Sequence, residues 1–300
     1  MIGRGSASDA PLASSRRIDL HTHSDASDGT DHPGALIRLA YDAGLDVVAL
    51  TDHDTVAGHA AAVAAVEALP PGRPFALVPG IELSCLAGGI SLHLLGYLFD
   101  TAEPQLAAEI ELLRTDRVRR ARAIVDRLRE LGAPVEWPDV EAVAAGAAVG
   151  RPHIARVMVE HGVVPDIPAA FTPEWIGNGG RAYVEKYSLA PERAIALVKA
   201  AGGVTVFAHP GASRRGATVD AATIGRFAAS GLDGLEVDHT DHDPATRATL
   251  HALADDLGLL VTGSSDYHGE VKATPLGAEL TDPAVFDELC ARASRSPVSR

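Results

Sequence analysis

Residues 19–29 of this 300-residue chain read DLHTHSDASDG, a segment in which groups that bind metal ions are concentrated. His21 and His23 stand two positions apart, so on a strand both imidazoles point to the same face and can chelate a single ion. One His-x-His pair is weak evidence, since such pairs also arise by chance. The segment therefore predicts a metal site only if further ligands accompany it.

Further metal-binding side chains do follow other short apolar runs of the sequence. They are Asp28, His53, Glu82, His93, His209, Asp266 and His268. Neutral imidazoles and carboxylates suit manganese, zinc or iron, and one carboxylate can bridge two ions. We therefore expect two or three divalent metal ions, with manganese as the first choice and zinc or iron as alternatives.

The apolar runs are typical of buried strands in a parallel sheet. They lie at 18–20, 47–50, 76–78, 204–208, 234–237 and 259–262 and alternate with helical patterns. In α/β barrels the catalytic groups sit at the carboxyl ends of the strands, and polar residues follow nearly every run here. This layout predicts an α/β barrel whose ligands gather at one end, with Glu82 and His93 among the residues at or near strand ends.

A long charged helical pattern interrupts this alternation at 103–132, and helical or loop-like segments continue after it. We assign residues 101–188 to a helical insertion that caps the barrel mouth, and residues 16–100 and 189–300 to the barrel itself. Most arginines and glutamates of the charged helix are interpreted as a solvated face. Residues 1–15 are rich in Gly, Ser and Ala, which predicts a disordered tail.

The composition limits the partners of the chain. A formal net charge of −14 repels polyanions, so a surface that coats DNA is not expected, and small or short anionic substrates fit better. No uncharged apolar segment approaches the roughly 20 residues that span a bilayer, so no membrane association is expected. Cys85 and Cys290 form no CxxC pattern, which favours a reducing cytoplasm. The sequence leaves the oligomeric state open.

The ligand pattern resembles that of the PHP (polymerase and histidinol phosphatase) superfamily of metal-dependent phosphoesterases. The four motif regions stand in order as His21-Thr22-His23, Asp52-His53, His209 and Asp266-Tyr267-His268, with Glu82 and His93 also in place. The resemblance covers residues 19–269. It implies a distorted (β/α)7 barrel, similar to a TIM barrel, with a trinuclear metal site at its mouth.

The resemblance also implies how the ligands divide among three ions. One ion would take His21, His23, Glu82 and Asp266. A second would share Glu82 and add His93 and His209, and a third would take Asp28, His53 and His268. Some relatives use a histidine where this sequence has Asp28, and its harder carboxylate favours a weaker-field, exchangeable or manganese-type third site.

Within the superfamily the chain is most similar to the branch that acts on nucleoside 3′,5′-bisphosphates and on 5′-phosphorylated RNA ends. The segments GRPHIARVMVEHG and GGRAYV in the insertion carry this closer resemblance. It implies a hydrolase in which a hydroxide bridging two ions attacks phosphorus. The alternatives are a histidinol-phosphate phosphatase, which the large insertion disfavours, and a non-catalytic PHP scaffold, which the filled ligand positions disfavour.

Other polar residues are candidates for substrate binding and for proton transfer. They are Arg151, His153, Arg181 and Lys272 for binding phosphate, and His239 and Asp52 for catalysis. Arg151 and His153 stand at the start of a predicted helix, where a guanidinium and free backbone N–H groups bind phosphate well. We expect His239 to protonate the leaving oxygen or to orient a ligand, and Asp52 to hydrogen-bond a ligand histidine.

Overall fold

The computed structural model of the chain describes residues 16–145, 149–185, 187–213 and 216–299. The predicted disordered tail at 1–15 lies outside the described residues. Within the described ranges, apolar strands alternate with helices along most of the chain, as the sequence pattern predicts.

The strands form one sheet whose spatial order follows the sequence. They are β1 (Ile18–Asp19), β2 (Val47–Leu50), β3 (Ala76–Ala87), β4 (Ile90–Tyr97), β5 (Val204–Phe207), β6 (Gly234–Asp238) and β7 (Leu260–Gly263), with the short β8 (Val298–Ser299) paired to β3. A parallel bridge between Thr22 and Tyr267 joins the segments that follow β1 and β7. The sheet is therefore a nearly closed barrel, and the predicted distorted (β/α)7 fold is confirmed.

The distortion is an antiparallel hairpin made by β3 and β4. The second strand of the hairpin, β4, also pairs antiparallel with β5. Gly88 and Gly89 form its turn with positive φ angles of 56° and 83°, which glycine adopts without a steric penalty. The register places Ser84 opposite His93 and Glu82 opposite Leu95, so these side chains share one face. The expectation that Glu82 and His93 lie at or near strand ends is therefore wrong: both lie within the hairpin strands.

Helices cover the outside of the barrel and supply its apolar core. They are α1 (Pro33–Asp42), α2 (His59–Glu67), α7 (Pro191–Ala200), α8 (Ala221–Ala229), α9 (Pro244–Leu257) and α10 (Pro283–Arg292). Asp220, Asp243 and Asp282 cap three of them, each accepting a backbone N–H bond of 2.7–2.8 Å, and such caps stabilise a helix by about 1 kcal/mol each. These caps fix where the loops at the barrel mouth end.

The remaining helices form the insertion and have an apolar cluster of their own. They are α3 (Pro104–Glu130), α4 (Trp137–Ala144), α5 (Arg151–Glu160) and α6 (Ile167–Ala170). The first half of α3 packs Leu106 and Leu113 into the barrel core, while Ile124 and Leu128 in its second half join the cluster of the insertion. The helix thus connects both parts, and the assignment of 101–188 as a separate domain stays a prediction. Among the described helices, none is long and apolar enough to cross a membrane.

Candidate metal centre

The His-x-His segment enters the barrel directly after β1, and both imidazoles are fully buried. The backbone N–H of His23 donates to the Tyr267 carbonyl oxygen at 2.8 Å, which ties the segment to the loop after β7. His21 Nδ1 lies 2.9 Å from Glu236 Oε1. Because the carboxylate accepts a hydrogen bond from Nδ1–H, His21 is held with its Nε2 facing the other candidate ligands.

Four ligand atoms converge at this point. His21 Nε2, His23 Nε2, Glu82 Oε2 and Asp266 Oδ1 lie 3.0 to 3.4 Å apart in the pairs that are in contact. Donor atoms about 2.1 Å from a tetrahedral ion are separated by about 3.4 Å. The first predicted set of ligands is therefore brought together with the spacing that one divalent cation requires.

The two carboxylate oxygens of Glu82 face different histidines. Oε2 faces the first set and also lies 3.1 Å from His53 Nδ1. Oε1 lies 2.8 Å from His93 Nδ1 and 3.2 Å from His209 Nε2, which is the second predicted set. A carboxylate that presents one oxygen to each of two groups of imidazoles has the geometry of a bridging ligand.

The third predicted set surrounds Asp28 and is looser. His268 Nε2 lies 3.5 Å from Asp28 Oδ1, and His53 Nε2 lies 3.6 Å from Asp28 Oδ2. His268 donates Nδ1–H to the Asp266 carbonyl oxygen at 2.9 Å, which directs its Nε2 toward Asp28. The Asp28 side chain is 43% exposed, so this part of the site faces solvent.

The residues present fit divalent cations. Several buried side-chain atoms of the cluster make no hydrogen bond of good geometry among the described residues, although some lie close to an opposite charge; they include His23 Nδ1, His53 Nδ1, His93 Nδ1 and Glu82 Oε2. A buried lone pair without a partner costs free energy, which a bound cation recovers. The donor set of imidazole nitrogens and carboxylate oxygens suits zinc, manganese or iron.

The electrostatics of the cluster also favour the binding of cations. Burial favours the neutral imidazole of His23, yet Asp266 and Glu82 outweigh it and raise the His23 pKa to about 9. Burial would likewise raise the pKa of Glu82, but His53, His93 and His21 hold that pKa well below its usual value. The anionic oxygens therefore attract positive charge into the barrel, whether protons or metal ions supply it.

Two of the candidate ligands have strained backbone conformations. His209 and Asp266 have φ angles of 32° and 51°, in the left-handed region that residues other than glycine seldom adopt. Such conformations cost roughly 1–3 kcal/mol each and persist where surrounding contacts determine them. His209 is held by a 2.8 Å bond from its N–H to Glu236 Oε2, so Glu236 fixes both His21 and His209. Ser264 Oγ donates a further short hydrogen bond to this carboxylate.

The second oxygen of Asp266 is approached by two basic side chains. Lys272 Nζ lies 2.7 Å from Asp266 Oδ2, and His239 Nε2 lies 3.4 Å from it. His239 Nδ1 accepts the N–H of Asp241 at 3.0 Å, so the neutral ring carries its proton on Nε2. The structure thus places Lys272 against a candidate ligand, and a phosphate-binding role for it stays a prediction.

The hydrogen-bond partners of Asp52 differ from those that the sequence analysis expected. Its carboxylate accepts the N–H and the hydroxyl of Ser24 and the hydroxyl of Ser27 at 2.7–2.8 Å. The sequence analysis expected a hydrogen bond to a ligand histidine instead. Asp52 holds the turn directly after His23, so its effect on the ligands passes through the backbone.

The insertion brings Arg151 to the rim of the centre. A cavity of about 330 Å³, which we call the arginine cavity, runs from His93 to Arg151. Its other lining residues include Arg120, Asn178, Tyr183 and one carboxylate, Glu185. Arg151 bonds to the carbonyl oxygen of Ile176 at 3.2 Å and to Asn178 Oδ1 at 3.1 Å. It also lies over the rings of Phe171 and Tyr183. These contacts within the described residues are all with uncharged groups, so the positive charge of Arg151 is available to an anion.

The other two predicted substrate residues of the insertion are placed differently. His153 Nδ1 accepts the N–H of Gly150 at 3.0 Å and so caps the start of α5 behind Arg151. The Arg181 side chain is exposed and lies outside the arginine cavity. Phosphate binding by either residue stays a prediction.

Sequence reasoning missed part of this rim. The sequence analysis interprets most arginines of the charged helix as a solvated face and does not single out Arg120, which lines the arginine cavity. The only sequence signal was the density of arginines along α3, which does not distinguish the exposed ones from this one. Asn178 gave no signal, because it lies in a glycine-rich loop without a periodic pattern. Tyr183 lies in the GGRAYV segment that carries the family resemblance, but the sequence analysis does not single it out as a site residue.

Comparisons with known proteins find similar sequences and a similar fold. The family model described as PHP domain matches residues 19–87. The chain is 32% identical over 266 residues to the 5′-3′ exoribonuclease Rnm of Escherichia coli, covering 89% of this chain and 90% of the relative. It is 35% identical over 261 residues to the 3′,5′-nucleoside bisphosphate phosphatase of Chromobacterium violaceum, covering 84% and 87%. A solved structure from Bifidobacterium adolescentis, described as a metal-dependent phosphoesterase, has a TM-score of 0.80 and 35% identity and covers 93% and 96% of the two chains.

The position of Glu236 gives a test that does not depend on catalysis. Glu236→Gln removes the charge that orients His21 and supports His209, and loss of such a partner typically weakens metal affinity about 10- to 100-fold. We expect a loss of that size in the affinity for Mn²⁺, measured by calorimetric titration of the metal-free protein.

The matched control is Glu130→Gln, at the exposed end of α3, which should bind Mn²⁺ as the unmodified protein does. Equal affinities for all three proteins would show that Glu236 does not support the ligands.

Proposed function

The chain belongs to the PHP superfamily of metal-dependent phosphoesterases, and on that premise we propose that it hydrolyses the 3′-phosphate ester of nucleotides that also carry a 5′-phosphate. These substrates are nucleoside 3′,5′-bisphosphates and the 5′-phosphorylated ends of short RNA. The observation that carries the proposal is the arginine cavity, which begins at His93 of the candidate metal centre and ends at Arg151. A substrate with two phosphates needs two anion sites, and this cavity connects them.

We assign the candidate ligands as the sequence analysis expected. His21, His23, Glu82 and Asp266 would hold one ion, Glu82 with His93 and His209 a second, and Asp28 with His53 and His268 a third. Manganese is the proposed metal, because the hard carboxylate of Asp28 and the exposure of the third set suit it. When bound, divalent ions supply a water-derived nucleophile at neutral pH and offset the negative charge of the phosphate.

The protein side chains then perform the remaining tasks. Glu236 holds His21 in one orientation, and Lys272 holds the second oxygen of Asp266 so that the first faces the imidazoles. We propose His239 as the donor of the proton that the leaving oxygen requires, with Nε2 as the donating atom. Its ring is fully buried, and Asp241 fixes its tautomer.

The proposed anchor for the 5′-phosphate is Arg151. Burial lowers the pKa of this guanidinium, but it stays charged, and its partners in the described chain are neutral or aromatic groups. An anion that enters the arginine cavity therefore gains a charged hydrogen bond that carboxylates do not already use.

The overall charge and the names of the relatives support short substrates. A net charge of −14 repels a long polyanion, and the relatives named above are an exoribonuclease and a bisphosphate phosphatase. Cys85 and Cys290 are both free, which agrees with the proposed cytoplasmic location.

Phosphate release from three compounds tests the proposal. With Mn²⁺ supplied, we expect adenosine 3′,5′-bisphosphate to be hydrolysed with a kcat/KM at least about 100-fold above that for histidinol phosphate, because only the nucleotide has a second phosphate for Arg151. A 5′-phosphorylated oligoribonucleotide should release mononucleotides. Hydrolysis of histidinol phosphate alone would reject the nucleotide assignment.

Arg151→Ala tests the second anion site. A hydrogen bond to a charged group contributes about 1.5–3 kcal/mol, so KM for the bisphosphate should rise roughly 10- to 100-fold with little change in kcat. Steady-state kinetics would measure both constants.

The control for that prediction is Arg156→Ala, an exposed arginine on the same helix, whose KM should match that of the unmodified protein. A fall in kcat at constant KM would mean that Arg151 acts only in the transition state.

A further inference from the structure

His242 lies in the segment DHTDHD after β6, and the proposed function gives it no role. The residue is only 4% exposed, although it belongs to the loop that leads to α9. Polar side-chain atoms that are buried in this way are normally hydrogen-bonded. The partners of the two ring nitrogens therefore indicate what the residue does.

The two nitrogens of His242 contact the backbone at two different places in the barrel. Nδ1 lies 2.8 Å from the Val237 carbonyl oxygen, and Nε2 lies 3.0 Å from the backbone nitrogen of Gly211. A carbonyl oxygen can only accept and a backbone N–H can only donate, so the ring carries its proton on Nδ1 and accepts at Nε2. The neutral imidazole therefore connects the end of β6 to the loop after β5.

The Val237 carbonyl group lies at an irregularity of β6. The register of β6 against β7 shifts between Glu236 and Asp238, so Val237 is an extra residue in this pair of strands. Such a β-bulge leaves one residue unpaired and changes the direction of the strand, and bulges are common beside active sites. His242 thus donates to a carbonyl group at a break in the ladder.

The Gly211 end of the contact lies in the turn that follows His209. Ala212 donates its N–H to the His209 carbonyl oxygen at 3.1 Å, which closes this turn. Glu236 holds the N–H of His209 before the turn, and His242 holds the N–H of Gly211 within it. The strained φ of 32° at His209 persists only where such contacts determine the backbone.

The packing around Gly211 shows how closely this turn approaches its neighbours. A Cβ atom at Gly211 would lie 2.4 Å from Thr246 Cγ2 of α9 and 3.2 Å from the His242 ring. The turn therefore lies directly against both groups, and a side chain at this position would push it away from the ring.

We infer that His242 is a positioning residue for the second proposed ion, because it fixes the turn that directs His209 Nε2 toward Glu82 Oε1. The inference rests on the ligand assignment of the proposed function and adds a residue to it. His242 acts through the backbone of the turn and contacts neither metal nor substrate. Loss of a group that orients a ligand typically weakens metal affinity about 10- to 100-fold.

Two substitutions separate the hydrogen bonds of His242 from its packing. His242→Leu keeps an apolar side chain in place without a donor or an acceptor, whereas His242→Gln keeps one donor group and one acceptor. We expect His242→Leu to lower the affinity for one Mn²⁺ ion by about 10- to 100-fold, measured by calorimetric titration of the metal-free protein. His242→Gln should restore most of that affinity.

A double-mutant cycle with His209→Ala shows whether the effect passes through His209. If it does, His242→Leu should lower the Mn²⁺ affinity no further once His209 has been removed. A residue that only stabilises the fold would instead lower the affinity by the same factor in both backgrounds. The matched control is His251→Leu on α9, whose side chain is 47% exposed and which should bind Mn²⁺ as the unmodified protein does.

If His242→Leu does not fold, Gly211→Ala takes its place, since it should displace the same turn from the ring and cause the same loss. Unchanged affinity in the folded variant, or an equal loss in both backgrounds of the cycle, would overturn the inference and leave the ligand assignment standing. If His209→Ala itself bound Mn²⁺ as the unmodified protein does, the ligand assignment of the proposed function would be wrong.

Discussion

The structure depends on a carboxylate that has been removed from water. Glu82 is 1% exposed, and its two oxygens meet imidazoles from the segments after β1 and β2, from β4 and from the loop after β5. An ionised carboxylate placed alone in such an interior costs several kcal/mol. This buried negative charge would destabilise the fold if histidines, and divalent cations when bound, did not compensate it. The same need for compensation favours binding of divalent cations at this carboxylate.

The barrel achieves this compensation through its topology. Parallel strands end at one rim, so residues far apart in the chain, such as His21 and Asp266, become neighbours. The antiparallel hairpin adds what the parallel strands do not provide, because it carries Glu82 and His93 into the middle of the cluster. Glu236 and Asp52 then hold the surrounding loops by accepting bonds from backbone N–H groups and side chains. The strained backbone at His209 and Asp266 shows that these contacts, and not local preference, determine the ligand positions.

Much of this arrangement could be predicted from the sequence, and the remainder has physical reasons for being hidden. Short apolar runs followed by histidine or aspartate predicted the barrel. They also predicted that the candidate ligands gather at its mouth. The hairpin escaped prediction because Pro79, Glu82 and His93 interrupt the apolar pattern that marks a buried strand. Arg120 escaped because only tertiary packing distinguishes one arginine of α3 from its solvated neighbours. The placement of Asp52 and Lys272 also depends on loop geometry, which residue spacing does not encode.

The central claim is that Glu82 bridges two divalent ions inside the barrel. Anomalous diffraction from crystals grown with Mn²⁺ measures this directly. The account predicts two manganese peaks, one about 2.0–2.3 Å from Glu82 Oε2 beside His21 and one at a similar distance from Glu82 Oε1 beside His93. Manganese found only at Asp28, or at no position within bonding distance of Glu82, would contradict it.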